Sequence, residues 1–170
     1  MAVTTSTSAL EQLSTWLSHT AVSAHLQKCE WTIPAIQTVH ILSIAAAISS
    51  AFLLDLRFLG LFAPGRPTYV IARRLQPWGT VALVSLAVSG GLLIVAEPSR
   101  SLTNVVFAVK LLILTAALLG NWVLKRGLRV DLHFWDREPA RKLSKIIAII
   151  SLLLWSGVVL AGRLIAYVGA

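Results

Sequence analysis

Three basic side chains and a pair of glycines are the residues of this sequence best suited to chemistry in an apolar setting. His40, Lys110 and Arg163 each interrupt a long apolar run, and Gly90 and Gly91 fall inside another. Ionisable groups within such runs are costly to bury and are typical of ligand, ion or proton sites. An imidazole with two nearby cations suits a planar anionic guest, and glycines leave room for it. The pattern therefore indicates a buried binding site.

The apolar runs that carry these residues are long enough to be membrane-spanning helices. Of the 170 residues, 56% are hydrophobic and 13% are charged, and the mean hydropathy is +0.79. Runs of about 18 or more apolar residues are typical of transmembrane helices, because backbone groups in lipid must bond within their own segment. The spans are predicted at about residues 31–54, 77–96, 102–124 and 146–168. The predicted fold is all-α, an integral membrane four-helix bundle that runs up and down with short connections.

The N-terminal arm, residues 1–30, is predicted to lie outside the transmembrane domain of residues 31–170. From Ala9 to Gln27 the apolar residues recur at roughly helical spacing, which is typical of an amphipathic helix resting on a membrane surface. The alternative is a mobile tail through Ser8 followed by a short helix that packs on nothing in particular. The arm is expected on the outer face of the membrane.

Lys and Arg are concentrated in two of the predicted connections. Four arginines lie between residues 55 and 76 and seven basic residues between 125 and 145, whereas the turn at 97–101 carries only Arg100. Because basic connections stay in the cytoplasm, we expect a multi-pass protein of a bacterial inner membrane with both termini on the outer, periplasmic side. The formal charge of +8 reflects this topology. No nucleic-acid partner is expected, since no reading motif accompanies the charge.

Helix geometry predicts that the basic groups lie at one depth in the outer half of the membrane. At 1.5 Å per residue, His40 and Lys110 lie about 14 and 12 Å from the outer ends of their spans, and Arg163 lies about 10 Å from the C-terminal end of the chain. A b-type haem would take His40 as an axial ligand to its iron, the glycine pair as a surface, and the cations as propionate partners. Gln37 shares the face of His40 on the first helix. A quinone or another anionic ligand fits the cations as well, with His40 as a hydrogen-bond partner.

Other interpretations of the basic residues remain open. No predicted span holds a second His or a Met, so a haem would be five-coordinate, completed by another chain, or reached by His25 from the arm. Alternatively, Lys110 and Arg163 extend to the headgroups while His40 bonds a neighbouring helix. Copper on imidazole has little support without Met or Cys clustering.

Residues along nearly the whole chain resemble an uncharacterised family of small bacterial inner-membrane proteins. The shared strings are WTIP (31–34), DLRFLGL (55–61), RLQPW (74–78), SG (89–90) and GRLIA (162–166), together with Phe107 and Trp155. The family is described as a domain of unknown function, and its layout is similar to cytochrome-b-like and copper-resistance membrane domains. The resemblance implies that His40, Asn104, Lys110, Asn121 and Arg163 form a functional set.

Three classes of function remain open at this stage. One is a haem-binding electron-transfer or quinone-interacting subunit, and another is a small ligand-binding or transport protein. The third is a structural anchor or assembly subunit that joins a partner subunit or a second copy. Catalysis by side chains alone is disfavoured, because no phosphate-binding glycine loop, paired carboxylates within a span or nucleophile elbow is present. Asp55 and Arg57, at the cytoplasmic end of the first span, are interpreted as a structural clamp.

Overall fold

The part of the chain that the structure describes contains helices joined by short connections and no strand, as the sequence predicts. This computed structural model describes residues 9–28, 30–98, 102 and 104–168. Two short helices come first, α1 (Ala9–Ser18) and α2 (Ala21–Lys28). Four long helices follow, α3 (Thr32–Leu59), α4 (Thr68–Ala96), α5 (Val105–Val130) and α6 (Ala140–Val168), with a 3-10 turn at Phe134–Asp136 between the last two.

Each of the four long helices is long and apolar enough to cross a membrane. They contain 26 to 29 residues and so exceed the roughly 20 that span the hydrocarbon core. All four continue past their predicted spans at the ends nearest the basic connections, because charged residues end an apolar run without ending a helix. In α4 this extension places Pro77 inside the helix instead of at its start.

The long helices form two antiparallel hairpins, α3–α4 and α5–α6, that meet where α3 packs against α6. By contrast, α4 and α5 do not pack closely against each other. We call the end of the molecule that carries α1 and α2 the arm end. The opposite end, where α3 leads into α4 and α5 leads into α6, is called the basic end.

The N-terminal arm forms two short helices rather than one amphipathic helix. The chain turns at His19 and Thr20, and Thr20 Oγ1 accepts a hydrogen bond from the amide of Ser23, which caps α2. Gln27 Nε2 then donates to the carbonyl of Ala96 at a distance of 2.8 Å. The arm is therefore bonded to the end of α4.

The buried apolar residues form two layers along the molecule. The basic-end layer surrounds Trp135, whose indole N–H donates to the Leu124 carbonyl at 2.8 Å, and its members are Leu54, Phe58, Ala72, Leu124, Leu128, Trp135 and Ala148. The middle layer consists of Ala51, Ala117 and Trp155, with leucines of α4, α5 and α6 packed around them. Together these layers hold α3, α5 and α6 in register.

The two charged residues predicted to clamp the basic end face different surroundings. Asp55 is buried, whereas the guanidinium of Arg57 donates to the carbonyl of Arg66 in the connection between α3 and α4. Arg137 pairs with Asp131 and His133 with Asp136, and neither pair includes Asp55 or Arg57. Asp55 and Arg57 therefore do not act as a charged pair.

Candidate functional site

A cavity of about 540 Å³ lies among the four long helices, in the half of the molecule nearest the arm end. It occupies the space that opens because α4 and α5 do not pack closely. Its walls are mainly apolar and include Ile44, Leu83, Leu86, Leu114 and Leu118. Cavities of about 300 to 1,000 Å³ with apolar walls and a few polar groups are typical of small-molecule and cofactor sites.

Five of the candidate site residues predicted from the sequence line this cavity. Gln37 and His40 come from α3, Gly90 and Gly91 from α4, and Lys110 from α5. The structure thus brings together an imidazole, an ammonium group, an amide and a glycine pair that lie up to 73 residues apart in the chain (110 − 37). The polar groups lie toward the arm end, and the apolar walls continue toward the middle layer.

His40 is held by a serine on the neighbouring helix. Its Nδ1 lies 2.9 Å from Ser89 Oγ, and Ser89 Oγ in turn donates its proton to the Ser85 carbonyl at 2.6 Å. Because that hydroxyl proton is already engaged, the serine oxygen accepts from Nδ1–H of the imidazole. This bond assigns the ring proton to Nδ1 and leaves a lone pair on Nε2.

A second serine pair extends the same contact between α3 and α4. Ser43 Oγ donates to the Val39 carbonyl at 2.7 Å, and the hydroxyls of Ser43 and Ser85 are 2.7 Å apart. With the Ser43 proton engaged, Ser85 is the donor of the bond between them. These bonds fix the rotation of α3 against α4 and therefore the direction of the His40 ring.

The two glycines of α4 play different roles. A β-carbon on Gly90 would lie 3.2 Å from Cε1 of His40, so this position makes room for the imidazole. A β-carbon on Gly91 would meet nothing within 4 Å, and this residue forms open cavity wall. Only the first glycine is therefore required by the packing of the histidine.

Lys110 brings an unpaired cation into the cavity. The side chain is partly buried, and no described residue forms a hydrogen bond or an ion pair with it. It passes beside Gly162 of α6, where a β-carbon would lie 3.7 Å from Nζ. It is also close enough to His40 for the two side chains to interact electrostatically. Three ammonium donors are thus available to an anionic or carbonyl oxygen.

The other predicted site residues lie away from the cavity. Arg163 is exposed on α6, and His25 is exposed on α2. Asn104 caps α5, since its Oδ1 accepts from the amide of Val106 at 2.8 Å. Asn121 lies three turns beyond Lys110 toward the basic end, and its Oδ1 is buried without a hydrogen-bond partner. The cavity therefore has one predicted cation instead of two.

Sequence analysis assigned no individual role to Ser89, Gly162 and Trp155, which all belong to the site. Ser89 orients His40, Gly162 lies beside Lys110, and Trp155 forms part of the cavity floor while it packs in the middle layer. All three are among the residues that carry the family resemblance, so the signal was present. The functional role was instead assigned to the neighbouring charged residue, Arg163.

Within the described ranges, no three His, Cys, Asp or Glu side chains come together to hold a metal ion. A metal at this site would rest on His40 and bring its other ligands with it, as the iron of a haem does.

These features describe an all-helical protein with four helices able to cross a membrane and a cavity among them. Residues 17–168 match the family of unknown function DUF6644, and the chain belongs to that family. This confirms the prediction of an uncharacterised family. No curated protein and no solved structure matches the chain.

Proposed function

We propose that this protein binds a lipid-soluble molecule with an oxygen-bearing ring, of the quinone and quinol class, in the cavity at the arm end. The observation that carries the proposal is an acceptor and a donor that share one largely apolar cavity. His40 Nε2 accepts a hydrogen bond from a ring hydroxyl, and the Lys110 ammonium donates to a ring oxygen.

The apolar walls suit the rest of such a molecule. Leucines of α4 and α5 line the cavity between its polar end and the middle layer. The gap between α4 and α5 gives a ligand dissolved in the bilayer a lateral route to His40 that does not cross water. A water-soluble anion would use Lys110 but would leave these apolar walls uncovered.

A b-type haem is the second candidate, and the tautomer of His40 favours it. Imidazoles that ligate iron donate their other ring N–H to a neighbouring acceptor, as His40 does to Ser89. Lys110 would then pair with a propionate. Because Arg163 and His25 lie outside the cavity, this haem would have one axial ligand and one cation from the described residues. The cavity therefore supports a quinol more fully than the haem predicted from sequence.

The distribution of Lys and Arg supports an orientation with the basic end in the cytoplasm. This orientation puts the cavity in the outer half of a bacterial inner membrane and both termini in the periplasm. The ligand would then be exchanged with the outer leaflet. The protein acts in this proposal as a binding subunit, and any electron transfer requires a partner.

The test is to identify what the protein carries when it is purified in mild detergent from its membrane. We expect quinone or quinol in the organic extract by mass spectrometry, at reduced occupancy in His40→Ala and Lys110→Ala. Arg163→Ala is the matched control, because it removes a cation of α6 that lies outside the cavity. A Soret band that disappears in His40→Ala would identify the bound molecule as haem and not quinol. A protein without either molecule would support the structural-anchor alternative.

A further inference from the structure

Two buried polar side chains and one that is partly buried occupy corresponding positions directly below the cavity floor. The middle layer, Ala51, Ala117 and Trp155, brings α3, α5 and α6 into contact. One helical turn from each of these residues toward the basic end are Asp55, Asn121 and Ser151 (51 + 4, 117 + 4 and 155 − 4). Residues four apart lie on the same face of a helix, so the three polar side chains point toward a common region. The apolar basic-end layer lies below them.

These side chains carry buried oxygens that lack hydrogen-bond partners. Asp55 and Ser151 are each only 2% exposed. The two side chains face each other across the contact of α3 and α6. Even so, Asp55 Oδ2, Ser151 Oγ and Asn121 Oδ1 are all buried without a hydrogen-bond partner among the described residues, as are two N–H groups, Arg57 Nε and Trp155 Nε1. Such atoms are uncommon in folded proteins, and a bound water or ion is one explanation for them.

No positive side chain balances the carboxylate. Arg57, two residues further along α3, directs its guanidinium to the Arg66 carbonyl, and no described Lys or Arg forms an ion pair with Asp55. A buried carboxylate without a partner costs several kcal/mol, so the site favours a bound positive ion.

We propose that Asp55, Asn121 and Ser151 form a binding site for a monovalent metal cation, Na⁺. The unpartnered atoms of these three side chains are oxygens, which are the ligands that hard cations prefer, whereas the N–H groups of Arg57 and Trp155 are donors and take no part in the site. One carboxylate matches one positive charge, whereas a divalent ion would leave the site charged. A proton on Asp55 would give a partner to one of the other two oxygens, whereas a metal ion contacts all three. The bound ion links α3, α5 and α6 one turn below the cavity floor.

A cation at Asp55 does not depend on the cavity ligand, and thermal unfolding of the protein detects it. The full chain, purified in detergent, is unfolded in choline chloride and in NaCl at equal ionic strength. We expect Na⁺ to raise the midpoint saturably, by roughly 5 to 10 °C at 100 times its Kd. Asp55→Asn and Ser151→Ala should each remove the difference between the two salts.

Two variants control for general effects of salt and of substitution. Asp131→Asn changes a carboxylate that pairs with Arg137 near the surface, and Ser156→Ala changes an exposed serine of α6. Both should keep the full response to Na⁺. Equal midpoints of the wild-type chain in the two salts would overturn the proposal, whatever the stability of Asp55→Asn. An infrared carbonyl band from protonated Asp55 in saturating Na⁺ would overturn it too.

Discussion

The imidazole of His40 lies against the backbone of Gly90, with Cε1 3.2 Å from the position that a β-carbon would take. Nδ1 of the same ring lies 2.9 Å from Oγ of the preceding residue, Ser89, which accepts from it because its own proton is donated to the Ser85 carbonyl. Two consecutive residues of α4 thus set the position and the tautomer of the histidine, one because it lacks a side chain and the other through its hydroxyl. Nε2 remains available to a ligand in the cavity.

Replacing Gly90 with alanine should displace the imidazole and weaken ligand binding. A contact of 3.2 Å forces the ring to move by a few tenths of an ångström, which strains its bond to Ser89. We expect the affinity for a short-tailed quinol to fall about tenfold, or about 1.4 kcal/mol. Gly91→Ala is the matched control, since its β-carbon meets no atom within 4 Å. Equal losses in the two variants would show that the His40 contact is not responsible.

Replacing Ser89 with alanine should remove the hydrogen bond that holds the ring proton of His40 on Nδ1. The imidazole would lose the acceptor of its Nδ1 proton, and the proton could then move to Nε2, which would no longer accept from a ligand hydroxyl. The loss of one hydrogen bond predicts a five- to tenfold weaker binding of quinol, about 1 kcal/mol. Ser156→Ala, at an exposed serine of α6, should bind as the wild type does. An unchanged affinity for quinol in Ser89→Ala would show that the serine does not contribute to ligand binding.

Replacing Gly127 with alanine should destabilise the basic end without reaching the cavity. A β-carbon there would lie 2.5 to 2.7 Å from three atoms of the Trp135 indole, which donates to the Leu124 carbonyl. We expect a loss of about 3 kcal/mol, or a fall of roughly 10 °C in the unfolding midpoint. Gly120→Ala has its nearest neighbour at 4.0 Å and should leave the midpoint within about 2 °C. A stable Gly127→Ala protein would contradict the buried position of Trp135.

The proposed orientation predicts which positions react with a reagent that cannot cross the membrane. In a Cys29→Ser background, a cysteine placed by Lys28→Cys in the arm should react with an impermeant maleimide in intact cells. A cysteine placed by Gly65→Cys, in the connection between α3 and α4, should react only after the membrane is permeabilised. If the cysteine at position 65 reacts in intact cells and the one at position 28 reacts only after permeabilisation, the orientation is the reverse and the cavity lies in the inner leaflet.

The helices were predictable from sequence because each is dominated by an apolar run, and His40 and Lys110 were recognisable as ionisable groups inside such runs. Their neighbours were not predictable to the same degree. With 3.6 residues per turn, adjacent residues point about 100° apart, so an error of one residue in choosing the inward face exchanges Gly162 for Arg163. Composition does not set that rotation, which depends on contacts between helices.

Asp55 shows a second limit of the sequence analysis. It stands at the end of an apolar run, which favoured a headgroup position beside Arg57. The helix instead continues to Leu59, so the carboxyl is buried one turn below the middle layer. The spacing that aligns it with Asn121 and Ser151 becomes visible only once the register of α3, α5 and α6 is known.

The most direct test of the proposed site is the equilibrium affinity of the purified protein for a short-tailed quinol, measured for the wild type, His40→Ala and Arg163→Ala. If His40 Nε2 accepts a bond from the ligand, His40→Ala should bind at least tenfold more weakly and Arg163→Ala should match the wild type. Saturable binding that is the same in all three proteins, or no binding by the wild type, would contradict a quinol site at His40.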